Sequence, residues 1–392
     1  MMKTIAVFTG TRAEYGLLQP LMAAIQDDDQ LVLKLIVSGM HLSPEFGLTW
    51  QQIAADGFHI DEKIEILLSS DTAVGVAKSM GIAVLGFTDA LSRIEPDCIV
   101  ILGDRFEALA MAQTAMIMRL PVVHLHGGEI TEGAYDDAIR HAITKLSHIH
   151  FASTEIHRQR IIQLGEQPDS VFNVGAIGLD HIRDADFMSK AELESSIGFS
   201  LKSPFFVVTY HPVTLAEEDA IATFTALLNV LDTFTGHKVI ITWPNADDGG
   251  RKIIPLIEKW AVENPQRVKA LPSLGYKRYL SAVKYSDAVI GNSSSGIIEV
   301  PSLNVSTVDI GSRQKGRMSA DSVIHCQPTA SEIAKAVASA IVTTKLLKTS
   351  FTVNPYGNGK TTEKIIYQLK KTTFERTKRF YDLAQTERVE NE

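Results

Sequence analysis

The chain has 392 residues, 45% hydrophobic and 21% charged, with a formal net charge of −8, the balance of a globular protein of two or three domains. That acidic balance excludes the broad basic face of a nucleic-acid groove, so a phosphate-bearing ligand has to be held by a few well-placed cations. No apolar run approaches the roughly 18 residues of a membrane span, and the N-terminus enters a buried strand too early for an export signal.

The first half alternates short β-rich runs with helical stretches. Strands are predicted at 5–8, 32–37, 98–102, 122–126, 149–153 and 171–174. Between the first two, Leu18, Leu21, Met22 and Ile25 recur at i, i+3, i+4 and i+7, one apolar helix face. Asp27-Asp28-Asp29 reads as a solvated loop. After a polar stretch the pattern restarts, with strands predicted at 205–210, 239–242, 268–271, 288–291 and 305–310 and helices at 222–233 and 276–285. Strand–helix alternation at this spacing implies parallel sheets covered on both faces. The expected architecture is α/β, two Rossmann-like domains facing a central cleft, over residues 1–178 and 179–364, with a long charged helix over 361–388. Cys98 and Cys326 lie in or beside apolar runs and read as structural thiols of a cytoplasmic protein.

Ligands of open parallel sheets meet the carboxyl ends of strands and the helix starts that follow. Gly10-Thr11-Arg12-Ala13-Glu14-Tyr15-Gly16 follows the first strand and is neither a dinucleotide fingerprint nor a P-loop. Arg12 opposes the helix dipole there, a conflict that a bound anion relieves, unless it is a plain surface arginine. His41 follows the second strand. Asp104 and Arg105 follow the third, as an ion pair, a cap or a catalytic base. Next come His124-Leu125-His126-Gly127-Gly128-Glu129 and Asp136 on a helix with Arg140. Three carboxylates, Asp104, Glu129 and Asp136, thus reach one sheet edge, where they are costly unless chemistry or cations require them. His124 and His126 suggest a metal pair, but no third ligand has zinc-like spacing.

In the second half, His211 follows the first strand and Asn245 the second. Gly291-Asn292-Ser293-Ser294-Ser295-Gly296 opens a helix with small residues, hydroxyls and backbone N–H groups, an anion cradle. Glu299 lies one turn further, four residues past Ser295 and so not a capping-box partner, where it can accept both hydroxyls of a ribose. Arg313 adds a cation after the last predicted strand.

In this order the motifs resemble the UDP-N-acetylglucosamine 2-epimerase family, in its hydrolysing, bacterial sialic-acid-pathway branch. The resemblance runs from Gly10 to about Gly359, through Gly103-Asp104-Arg105, His124–Glu129, the 136–145 helix, His211-Pro212, Gly291–Glu299 and Arg313-Gln314-Lys315-Gly316-Arg317. It implies a glycosyltransferase-B arrangement, with a C-terminal helix, about 365–392, crossing back onto the first domain. It implies hydrolysis of UDP-GlcNAc to N-acetylmannosamine and UDP through 2-acetamidoglucal, with neither nicotinamide nor metal, in a homo-oligomer, a dimer or tetramer. Carried over by position, Arg12, His211, Asn245, Ser293, Ser294, Ser295, Glu299 and Arg313 look like the UDP-binding set. Asp104 and Asp136 look like the catalytic acids, and His41 and Arg105 line the sugar side. Many relatives carry glutamate where His126 stands, so the remaining acid–base role falls to His126 or Glu129. The same chemistry on UDP-2,4-diacetamido-2,4,6-trideoxyglucose, of the legionaminic acid route, and a glycosyltransferase on the same fold are the alternatives.

Overall fold

A computed structural model describes residues 2–68, 72–131, 135–183, 185–212, 220–244, 250–350 and 352–383. The chain divides into two compact units, one of residues 1–130, 134–180 and 359–392, the other of 131–133 and 181–358.

In the first unit the described strands and helices run β1 (Lys3–Thr9), α1 (Arg12–Gln26), β2 (Leu31–Ser38), α2 (Trp50–Ala55), β3 (Glu62–Ile64), α3 (Ala73–Ile94), β4 (Cys98–Leu102), α4 (Phe106–Ile117), β5 (Val122–Leu125), α5 (Tyr135–Leu146), β6 (Ile149–Ala152), α6 (Glu155–Gln163) and β7 (Val171–Asn173). All strand pairs are parallel, in the order β3-β2-β1-β4-β5-β6-β7. The central strands are apolar on both sides because both faces are covered. Ile5 and Val7 pack with α1 on one face, while Ala6 and Phe8 meet Phe87 and Met111 of α3 and α4 on the other. Phe8 and Phe87 meet edge to face at 5.3 Å.

Helix α3 departs from the expectation about apolar runs. It is 22 residues long and, by length and composition, apolar enough to cross a membrane. Its small residues place Ala83, Phe87, Ala90 and Leu91 against the sheet, while Val74 and Leu85 stay exposed.

The second unit opens with α7 (Asp180–Arg183), whose first residue belongs to the first unit, and α8 (Lys190–Ile197). Then come β8 (Phe205–Thr209), α9 (Ala220–Thr233), β9 (Lys238–Thr242), α10 (Gly250–Glu263), β10 (Val268–Leu271), α11 (Tyr276–Tyr285), β11 (Ala288–Gly291), α12 (Ser294–Ile298), β12 (Thr307–Ile310), β13 (Val323–Cys326) and α13 (Ala330–Leu347). This sheet is also parallel throughout, ordered β10-β9-β8-β11-β12-β13. Both sheets therefore reverse direction of winding beside their first strand, between β1 and β4 and between β8 and β11, the switch points at which such sheets bind ligands.

The chain returns to the first unit in α14 (Thr361–Lys371), packed on α1. The helix is shorter than the charge pattern suggested. Lys3 Nζ takes the carbonyls of Leu369, Lys370 and Thr372 at 3.0, 2.6 and 2.8 Å, closing the helix with a cation at its negative end. Residues 372–383 continue without helix, laid on the unit by an ion pair of Lys378 with Glu166 and by Phe380 against Gly165.

Candidate active site

At the first switch point, Asp104 follows the end of β4 and is gripped by Arg140 of α5. Arg140 is 4% exposed, and its Nη1 also donates to the Glu129 carbonyl at 3.0 Å and to Asp137 Oδ1 at 3.2 Å. One buried guanidinium thus draws the ends of β4 and β5 to the first turn of α5. It pairs with two carboxylates, Asp104 and Asp137. Asp136 stands on that same turn, half-buried, and its charge is felt by Arg105.

After β5 the backbone turns through His126 in the left-handed region, φ 62°. The ring is held at both ends. Nε2 accepts from the Ile177 N–H at 3.2 Å, which leaves the proton of the neutral ring on Nδ1, 3.2 Å from Glu129 Oε1. Glu129 is 6% exposed and also accepts from Ser153 Oγ at 2.9 Å, with His157 Nδ1 2.9 Å behind that hydroxyl. His126 and Glu129 are therefore partners in one relay, in which the imidazole orients the carboxylate. His124 belongs to the scaffold. Its Nε2 sits 2.8 Å from the Gly103 carbonyl and its Nδ1 3.2 Å from Thr144, and burial holds it neutral, down to about 3. Both rings of the His-x-His pair are thus engaged by protein. Among the described residues no group of three His, Cys, Asp or Glu side chains could hold a metal ion.

Two expectations change here. His41 is fully buried, with Nε2 3.0 Å from Thr9 Oγ1 and Nδ1 2.7 Å from Thr49 Oγ1. It braces the ends of β1 and β2 and presents neither nitrogen to a sugar. Burial pushes it down to about 4, so it stays neutral. At the start of α1, Thr11 and Glu14 form a capping box, and Glu14 Oε2 accepts from the Gly10 and Thr11 amides at 2.8 and 3.2 Å. The amides that a bound anion was expected to meet at this turn are already taken by the Glu14 carboxyl. Arg12 is exposed beside it.

In the second unit, β8 and β11 are locked together at their ends. Asn292 Oδ1 accepts from the His211 amide at 2.7 Å and its Nδ2 donates to the His211 carbonyl at 2.8 Å. Gly291 adopts φ 142°, and a Cβ there would lie 1.9 Å from the Thr209 carbonyl oxygen, so only glycine permits this approach. Arg313 Nη1 and Gln314 Nε2 both donate to the Asn292 carbonyl, at 3.0 and 2.8 Å. His211 is 7% exposed and neutral, lowered to about 4 by burial and then by Arg313. Ser293 is the N-cap of α12 yet makes no side-chain cap hydrogen bond, so its hydroxyl is not consumed by the helix. Ser294 follows it, half-buried. Ser295 Oγ lies beside the carboxyl of Glu299 and the hydroxyl of Tyr279 without a regular hydrogen bond, and burial raises Glu299.

Tyr279 Oη, Ser295 Oγ and Gln314 Oε1 are buried here without a hydrogen-bond partner. Orphaned buried polar atoms are rare in native proteins and mark places where a ligand or water completes the set. Tyr279 lies outside the sequence motifs, and Gln314 stands within one that assigns it no role; their burial beside the serine run is a tertiary fact. Asn245 lies outside the described residues.

The family model described as UDP-N-acetylglucosamine 2-epimerase matches residues 23–370. The chain belongs to that family. It is 42% identical over 322 residues to the GDP/UDP-N,N'-diacetylbacillosamine 2-epimerase (hydrolyzing) of Campylobacter jejuni, covering 82% of this chain and 84% of that one. It is 37% identical over 372 residues to the UDP-N,N'-diacetylbacillosamine 2-epimerase (hydrolyzing) of Legionella pneumophila, covering 95% and 96%. The fold matches the crystal structure of UDP-GlcNAc 2-epimerase from Neisseria meningitidis bound to UDP-GlcNAc, with a TM-score of 0.80 at 19% identity over 95% of this chain and all of that one. The two parallel α/β units are thus those of a glycosyltransferase-B fold, and the chain is an enzyme of the UDP-sugar 2-epimerase kind.

Proposed function

We propose that this enzyme is a hydrolysing UDP-sugar 2-epimerase, releasing UDP and a free 2-acetamido sugar inverted at C2. The observation that carries the reading is Asp104 gripped by Arg140, on the helix that carries Asp136, with Glu129 oriented by His126, at a switch point. A carboxylate removes the C2 proton as the C1–O bond to UDP breaks, giving a 2-acetamidoglucal. Water then adds, its hydroxyl to C1 and a proton to C2 from the opposite face. Asp104 and Asp136 are assigned to proton transfer and Glu129 to water activation, with His126 fixing its orientation. The UDP group is assigned to His211, Ser293, Ser294, Ser295, Glu299 and Arg313 of the second unit, with Asn245. The three orphaned polar atoms of Tyr279, Ser295 and Gln314 support a ligand there.

Two sugars compete. UDP-GlcNAc follows from the sequence resemblance. UDP-N,N'-diacetylbacillosamine, the 2,4-diacetamido-2,4,6-trideoxy sugar, is favoured by the names of the two relatives at 42% and 37% identity. NMR of the enzyme with each UDP-sugar decides the matter. UDP and a free manno-configured sugar are expected from one of them; a glycoside product, or no UDP from either, contradicts the reading. The enzyme is further proposed to act as a homo-oligomer, since Val74 and Leu85 of α3 and Ile117 of α4 are 65, 72 and 74% exposed. Light scattering of wild type and Leu85→Lys tests this; a monomeric wild type refutes it.

A further inference from the structure

Two buried carboxyl groups at the first switch point have no part in the chemistry above. Glu14 caps the amides of Gly10 and Thr11. Glu107, in the first turn of α4, is 1% exposed, with Oε2 3.4 Å from Arg105 Nε and Oε1 buried without any hydrogen-bond partner. A Cβ placed on Gly39 would lie 3.4 Å from that Oε1 and 2.9 Å from the Gly10 carbonyl oxygen. Glu107 therefore lies beneath the converging ends of β1, β2 and β4. Burial raises both acids, Glu14 to about 7.

Arg105 is the cation that faces them. Its side chain is 44% exposed, and the bond from Nε to Glu107 is its only hydrogen bond among the described residues. The negative charges around it are Glu107, Glu14 and Asp136. An arginine at a strand-to-helix junction has many rotamers, and a fixed anion below selects one. Stability gives little reason to bury a half-satisfied carboxylate, because an isosteric neutral group in its place is often neutral or stabilising. Such a liability persists where it serves function.

We propose that Glu107 is a positioning residue for the reaction, holding the guanidinium of Arg105 beside Asp136 so that its Nη edge meets the sugar. The inference rests on the proposed assignment of Asp136 to proton transfer. Misplacement of a group on this scale costs about 10–100-fold in turnover.

The test is a cycle of Glu107→Gln and Arg105→Ala, singly and together, with kcat, KM and melting temperature measured on the full chain. Expected for Glu107→Gln are an unchanged or higher melting temperature, kcat lower by about 10–100-fold and KM within about threefold. In the Arg105→Ala background the same change should cost nothing further. Normal kcat for Glu107→Gln, or an equal loss with and without Arg105, overturns the proposal. Should Glu107→Gln melt below the assay temperature, Glu107→Asp, which keeps the charge and shortens its reach, replaces it in the cycle under the same criteria. A wild type that releases no UDP from either sugar refutes the functional reading itself; an active wild type with a normal Glu107→Gln refutes only the role of Glu107.

Discussion

Replacing Arg140 with methionine isolates the interaction that assembles the first half of the site. The side chain keeps its length and packs in the same slot, but three contacts vanish, to Asp104, Asp137 and the Glu129 carbonyl. Breaking a buried ion pair from one side costs about 3–5 kcal/mol. Asp104 and Asp137 are 28% and 30% exposed and recover part of their hydration, so the expected loss is about 3 kcal/mol, the lower end. Arg140→Lys keeps the charge and loses the fork, so about half that loss is expected. Urea denaturation followed by far-UV circular dichroism reads the change. Combining Arg140→Met with Asp104→Asn should recover at least about 1 kcal/mol relative to additivity. Turnover of Arg140→Met should fall about 100-fold, because Asp104 is no longer aimed. Full additivity, or near-normal turnover in Arg140→Met, would refute the view that this arginine organises the carboxylates.

Other outcomes follow from the same geometry. Arg313→Ala and Glu299→Ala should each weaken UDP binding by about 1.5–3 kcal/mol in calorimetry; unchanged affinity in both displaces the nucleotide site from the second unit. Glu129→Gln should stall hydration and release glucal, whereas His126→Gln should only slow it, since the imidazole orients rather than reacts; the reverse order of severity contradicts the relay. His124 has its folded value depressed to about 3, so the unfolded chain takes up the proton first and stability is lost as pH falls from about 6.5 toward 3. His124→Gln should lack that loss, and the difference between the two melting curves removes the opposing contribution of Glu14, whose raised value favours the fold as pH falls from about 7 toward 4.5. A difference that is flat between pH 7 and 4.5 refutes the buried neutral imidazole.

The parallel strands were legible because both faces are buried, which makes each a short apolar run between turns. Two of the four edge strands, β3 and β13, were not. Glu62-Lys63-Ile64 is mostly polar, and Val323-Ile324-His325-Cys326 carries an exposed histidine, as edges covered on fewer sides can. Helix α3 was missed because its alanines and glycines give weak contrast between buried and open faces. The C-terminal helix was drawn too long, since charge alone does not show that Lys3 closes it at Thr372. Within the site, residues that follow strands could be read from position. Arg140 could be placed on its helix, but its grip on Asp104, 36 residues away, belongs to the tertiary fold. Glu107 and the inward turn of His41 are hidden for the same reason: burial and partners come from elements far apart in sequence.

The most direct test of the central claim is the fate of C2. The enzyme is incubated in deuterated water with UDP-N,N'-diacetylbacillosamine and, separately, with UDP-GlcNAc, and followed by proton and phosphorus NMR. Elimination and hydration predict stoichiometric UDP and a free manno-configured sugar carrying one deuterium at C2, with Asp104→Asn and Asp136→Asn slower by about 100–10,000-fold. Product that retains the original C2 proton, or near-normal rates in both aspartate variants, contradicts the account.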